Sequence, residues 1–143
     1  MPIKINCKNQ NSKRRIDLAR IEKVARKTLR LLKKTNAELN VVFFSNQKIR
    51  AINRKYLKKD TSTDVIAFPG IGLGARFLGD IAISTDKAAQ NAKEYGTTFL
   101  EETALYVIHG ILHLVGHDDR GKKKEAVMRR KENELFQKAK KLL

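Results

Sequence analysis

"ALYVIHGILHLVG", residues 104–116, is the longest apolar run in the chain, and two histidines interrupt it, His109 and His113. A bilayer-spanning helix needs about 20 apolar residues, so this run is too short to cross a membrane and reads as a packed helix. Thr98 followed by Glu101 has the pattern of a capping box at its start. Gly116 is a good left-handed stop at its end. The spacing therefore predicts a helix that opens at Thr98 and runs to about Val115.

Residues four apart on a helix share one face. His109 and His113 can then share one metal ion, and neutral imidazole is a good zinc ligand at about 2.0–2.1 Å. The plainer alternative is a pair of hydrogen-bonded core histidines. Counting from His109, Gly116 stands at +7 and Asp119 at +10. Those are the ligand and glycine spacings of the zinc pattern H-E-x-x-H-x-x-G-x-x-H. In that pattern the glycine turns the chain and returns the +10 side chain to the metal. Asp119 is the expected third ligand. His117 is its rival, and it faces the metal only if the helix continues unbroken through Gly116. Two histidines and one carboxylate leave a position open for water, as catalytic zinc sites do. Peptidases of this pattern carry Glu at +1 as their general base. Here +1 is Gly110, which cannot move a proton, so peptide cleavage is disfavoured.

Around this helix the chain alternates short strands and amphipathic helices. "IKINCK" (3–8), "LNVVFFS" (39–45), "DVIAF" (64–68) and "DIAIS" (80–84) read as strands. Residues 16–34 place Ile21, Val24, Ala25, Leu29 and Leu32 at helical spacing. Ser45 or Asn46 caps "QKIRAINRKYL", Thr85 caps a helix that stops near Gly96, and 122–142 form a last basic helix. "GIGLGARFLG" (70–79) reads as a connection. With two prolines, no repeat and no linker, one domain over 1–143 is expected. The fold class is α+β: a mixed sheet of about four strands packed with about five helices, one of them a zincin-like metal helix.

The chain carries 31 Lys+Arg against 15 Asp+Glu, a net charge of +16. Such a surplus points to a polyanion, most often nucleic acid. It is concentrated in the flanks, because residues 60–119 hold three basic and nine acidic side chains. A basic exterior around a metal-activated water suits a phosphoryl centre. In the segment before Asp60, Lys48, Arg50, Arg54, Lys55, Lys58 and Lys59 occur without an acid, and they are the candidate nucleic-acid contacts. The single cysteine, Cys7, permits no internal disulfide and suits a reducing cytosol. No apolar signal core opens the chain, so a cytoplasmic location and no membrane partner are expected.

Three segments resemble one known family. "HGILHLVGHDD" (109–119) is similar to the H-G-x-L-H-L-x-G-Y-D-H signature of the YbeY family. "INRKYLKKDTSTDVIAFP" (52–69) resembles its L-N-x-x-Y-R…T-D-V-L-S-F-P stretch, and "LGDIAIS" (78–84) its L-G-D-I-x-I-S. Met128 and Glu132 also fit, and the likeness covers roughly residues 40 to 135. The resemblance implies a metal-dependent, single-strand-specific endoribonuclease that matures ribosomal RNA and serves ribosome quality control. The ribosome, or its small subunit, is then a partner. It further implies one Zn²⁺ per chain on His109, His113 and Asp119. The family usually has His at the position of Asp119 and Tyr at that of His117. It has Arg after the tyrosine, where this chain has Leu57, with Lys58 or Lys59 as substitute point charges. Asn53 and Tyr56 are expected either to line the cleft or to pack their helix. Asp64 and Asp80 are expected to orient strand starts. Two other readings stand beside this one: a non-catalytic ribosome-assembly factor with a structural metal, and a metal-dependent hydrolase of another substrate.

Overall fold

Alternating apolar and polar side chains build a four-stranded sheet, seen in a computed structural model that describes residues 3–61, 63–70, 76–118 and 120–143. The strands are β1 (Lys4–Asn9), β2 (Glu38–Phe44), β3 (Val65–Pro69) and β4 (Phe77–Ser84). Their order across the sheet is β1-β2-β4-β3. β1, β2 and β4 run parallel, and β3 pairs antiparallel with β4 at one edge. The helices are α1 (Leu18–Leu31), α2 (Asn46–Leu57), α3 (Thr85–Tyr95), α4 (Phe99–Leu114) and α5 (Lys122–Ala139), followed by a 3₁₀ turn, Lys140–Leu142. Element order and the α+β class agree with the sequence reading.

One face of the sheet, with Leu39, Val41 and Phe43 from β2 and Ile81 and Ile83 from β4, packs under α1 and α4. That cluster is the main core. On the other face, Ile66 and Ala82 pack against Ile49 of α2. α4 is apolar nearly all round because it is enclosed by the sheet, α1, α3 and α5. Pro69 sits in the edge strand, where its missing N–H breaks no ladder.

Three boundaries differ from expectation. α1 is shorter than 16–34: Asp17 caps it by accepting from the Arg20 N–H at 3.1 Å, and the chain turns at Lys33 with φ +61°. α3 is capped by Ser84 rather than Thr85. The Ser84 hydroxyl accepts from the Lys87 N–H at 3.1 Å, while the buried Thr85 hydroxyl donates to the Phe44 carbonyl at 3.2 Å. β4 begins at Phe77, inside the segment read as a connection, because Phe77 pairs with Glu38 of β2, and Gly79 with Leu39 of β2 and Pro69 of β3. Residues 71–75 of that segment lie outside the described residues.

The end of α4 meets the start of β4: a Cβ on Gly79 would stand 3.0 Å from Leu114 Cδ2. The start of β2 is at the same end, since the Glu38 N–H donates to the Arg76 carbonyl at 2.9 Å. The connection from α1 therefore also arrives there. At the opposite end Arg20 of α1 donates to the Leu143 carbonyl at 2.9 Å, so α1 and α5 run antiparallel.

Candidate active site

α4 is fixed at both ends. The capping box is present: the Thr98 hydroxyl accepts from the Glu101 N–H at 3.0 Å, and the Glu101 carboxylate accepts from the Thr98 N–H at 3.0 Å. At the other end Gly116 takes φ +105°. Its N–H donates to the His113 carbonyl at 3.1 Å, and that of His117 to the Leu112 carbonyl at 2.9 Å. This pair of bonds is the Schellman stop. The helix does not continue through Gly116, so the condition that would put His117 on the ligand face is not met.

His109 and His113 converge on one side of the helix end. Their Nε2 atoms stand 3.2 Å apart and their rings meet edge to face with centroids 4.7 Å apart. Two nitrogens bound at about 2.05 Å to one tetrahedral ion would be about 3.3 Å apart. The two nitrogens lie within hydrogen-bond distance of each other, as the plainer reading of a hydrogen-bonded pair expects, and the same separation suits a shared zinc. The Nδ1 of His109 lies 2.7 Å from Glu132 Oε1. That carboxylate faces the ring nitrogen opposite the converging pair. Carboxylates placed this way fix the tautomer and orientation of metal-bound histidines.

Asp119, the expected third ligand, lies outside the described residues. Among the described residues no group of three or more His, Cys, Asp or Glu side chains closes around one point. The neighbouring carboxylate, Asp118, is engaged elsewhere. It accepts from the Arg120 N–H at 3.1 Å and lies 3.7 Å from Lys124 Nζ. Chiefly through that backbone bond, its carboxyl is held below the ordinary range.

Gly110 has a packing reason. A Cβ there would stand 2.8 Å from both Cδ1 and Cγ2 of Ile81. The +1 position faces the sheet, and only glycine lets α4 lie this close to β4.

A cleft of about 450 Å³ opens beside His113. α2 contributes Asn53 and Leu57, the following loop Lys59, Thr61 and Thr63, and β3 Val65, Ile66, Ala67 and Pro69. Asn53 is buried at 4% exposure, and its amide donates to the Thr61 carbonyl at 2.9 Å, which ties the loop to α2. Leu57 occupies the cleft position where the resembled family has arginine. Of the six basic candidates, Lys59 lines this cleft. Lys48 and Lys55 instead line an apolar pocket of about 510 Å³ between α2 and the sheet, together with Tyr56, Phe68 and Asp80. Arg50 and Arg54 share Asp60, at 2.9 and 4.0 Å. Lys58 ends α2 in a left-handed conformation.

Asp64 orients a strand start as expected, accepting from the Val65 N–H at 2.8 Å. Asp80 lies inside β4 rather than at its start, and accepts from Asn40 Nδ2 at 2.9 Å. Tyr56 is exposed, with its ring edge-on to Phe68. Glu132, which the structure brings against His109, is the residue at this place to which the sequence reading assigns no role. Its signal was present: it lies on the stripe Met128, Leu135 and Ala139 that α5 buries, an acid among apolar positions.

The family model for Endoribonuclease YbeY matches residues 6–140. The Endoribonuclease YbeY of Aquifex aeolicus is 40% identical over 134 residues, which cover 92% of this chain and 89% of that protein. That of Syntrophotalea carbinolica is 37% identical over 139 residues, covering 92% and 93%. The solution structure of TM1509 from Thermotoga maritima superposes with a TM-score of 0.67 at 28% identity, over 94% of this chain and 88% of that one.

Proposed function

The chain belongs to the YbeY family of endoribonucleases, and from that premise we propose that it cuts single-stranded RNA in the cleft beside His113, using one Zn²⁺ held by His109, His113 and Asp119. The observation that carries this reading is the 3.2 Å approach of the two Nε2 atoms, with Glu132 against the far nitrogen of His109. When bound, the ion supplies Lewis acidity toward a phosphoryl oxygen and acidifies water.

The chain's own residues do the rest. Glu132 holds the proton on His109 Nδ1, which keeps the Nε2 lone pair directed at the ion. Lys59 provides a positive point charge on the cleft wall for a phosphate. Asn53 holds the loop that carries Lys59. Leu57 offers contact to a sugar or base and no charge. Gly110 supplies no base, so proton transfer falls to water and to groups the RNA brings.

The substrate in the cell is ribosomal RNA under maturation. The work extends to ribosome quality control, with the ribosome or its small subunit as partner, in the cytoplasm. The family and the +16 charge support this. Among the described residues no helix is long and apolar enough to cross a membrane.

The test compares wild type with His113→Ala on a single-stranded RNA and on the same sequence in duplex, with zinc or with chelator. Wild type is expected to cut the single strand alone, and to stop on chelation. His113→Ala is expected to lose both zinc and cleavage. Equal cleavage by the two proteins would mean a contaminating nuclease and would remove the reading.

A further inference from the structure

Two surface helices carry almost the whole net charge. Residues 13–34 hold ten Lys and Arg against two acids, and residues 120–141 hold ten against three. α1 buries Ile21, Val24, Ala25, Thr28 and Leu29. Opposite that stripe lie Arg20, Lys23, Lys27 and Arg30, at the three-four spacing of one helix face. α5 buries Met128, Leu135 and Ala139, and Lys123 and Arg130 lie opposite them. Arg20 pairs with Asp17. The other five, Lys23, Lys27, Arg30, Lys123 and Arg130, have no carboxylate within 4.0 Å among the described residues. The two helices touch and run antiparallel, and they span about 21 and 27 Å at 1.5 Å per residue.

The chemistry of this layer selects its partner. Single-stranded nucleic acid is held by aromatic platforms, but the exposed aromatics, Tyr56 and Tyr95, belong to α2 and α3. A membrane surface calls for an apolar flank beside the charge, and Val127 is the single exposed large apolar side chain on these two helices. A field of cations without stacking groups suits a duplex backbone, which offers phosphates and little else.

We propose that the α1–α5 layer is a docking surface for double-stranded RNA, separate from the cutting cleft. It rests on the reading of the cleft as an RNA-cutting site. The C-terminal end of α1 and the N-terminal end of α5 lie at the end of the sheet where His109 and His113 converge. A duplex held along the layer therefore delivers its single-stranded flank toward the cleft. The layer selects strands that emerge from folded RNA over free single strands.

The test uses full-length protein with the metal chelated, so that binding is read without cleavage. One RNA is a labelled hairpin with a single-stranded tail; the other is the tail alone. The variant is Lys23→Gln, Lys27→Gln, Arg30→Gln, Lys123→Gln, Arg130→Gln, all surface positions, with its melting curve confirming the fold. Hairpin affinity is expected to fall at least ten-fold, and tail affinity to change less than two-fold. The slope of log affinity against log salt on the hairpin should become shallower by about 0.9 for each phosphate no longer neutralised. Equal weakening on both RNAs, or none, overturns the proposal. So does wild-type binding to phosphatidylserine vesicles that exceeds binding to the hairpin at the same salt. Cleavage of the tail by zinc-loaded wild type is measured separately, so failure of the cleft reading is told apart from failure of the docking surface.

Discussion

Removing the Glu132 carboxylate should weaken zinc binding without unfolding the protein. Glu132 Oε1 lies 2.7 Å from His109 Nδ1, the length of a charge-assisted bond. Its side chain retains 16% exposure, so in Glu132→Ala water can reach the vacated place. The loss is then one of orientation and ligand basicity. Such partners are worth about ten- to a hundred-fold in metal affinity, or about 1.4–2.7 kcal/mol. Glu132→Gln keeps a carbonyl acceptor for the Nδ1 proton but loses the charge. Charge-assisted bonds are about twice as strong as neutral ones, so the glutamine variant should lose about half of that free energy, about three- to ten-fold. Zinc competition against a chromophoric chelator at fixed pH gives the dissociation constants, and melting of the metal-free proteins checks the fold. A Glu132→Ala protein that keeps its metal-free stability and binds zinc within two-fold of wild type would refute the argument. Alanine and glutamine variants losing equal affinity would refute the role assigned to the charge.

Three other outcomes follow from the packing and the charges. Gly110→Ala forces a methyl to within 2.8 Å of Ile81 Cγ2, on a β-branched carbon held in a strand. Thermal unfolding should show a loss of about 1–3 kcal/mol, and a stabilised variant would contradict the close packing of α4 on β4. Asp86 accepts from the Asn46 N–H at 2.6 Å and from Arg14 at 2.6 Å. Chiefly the backbone bond, then Arg14 and Lys13, hold its carboxyl below the ordinary range against the opposing effect of burial. A depressed folded pKa adds stability above the unfolded value, and that stability is lost as pH falls through the folded one. Asp86→Asn should therefore cost about 1–3 kcal/mol at pH 7, and the gap from wild type in denaturant melts should close below about pH 4; a pH-independent gap would count against it. Leu57→Arg places a guanidinium in the His113 cleft from a position 46% exposed. Single-strand cleavage assays should show a several-fold gain with stability changed by less than about 0.5 kcal/mol; unchanged cleavage would show that Lys59 already serves that role.

The parts of the fold that were legible were those with a local chemical cause. Thr98 and Glu101 announce the start of α4, and Gly116 its end, because capping and left-handed turns depend on a few adjacent residues. The meeting of His109 and His113 follows from helical spacing alone. What stayed hidden depends on distant pairing. Phe77 joins β4 because it pairs with Glu38 of β2, far away in the chain, which no local pattern records. Ser84 displaces Thr85 as cap because the Thr85 hydroxyl is drawn to the Phe44 carbonyl on another strand. Lys48 and Lys55 separate from Lys59 because they lie on the side of α2 that lines the apolar pocket, whereas Lys59 lies past the end of the helix, on the loop that lines the cleft. Glu132 was legible as an acid on a buried stripe, but its partner is 23 residues away on another helix.

The contact of Gly110 with Ile81 also constrains the paths open to this helix over evolutionary time. The two-histidine pattern is shared with peptide-cutting zinc enzymes, which differ at the next residue by a glutamate. In this fold that exchange cannot be neutral. A side chain at 110 would have to lift α4 from β4, carrying both histidines and the Glu132 contact with it. The route from cutting RNA to cutting peptide therefore meets a packing cost at its first step, set by the thickness of the core, before any question of substrate arises.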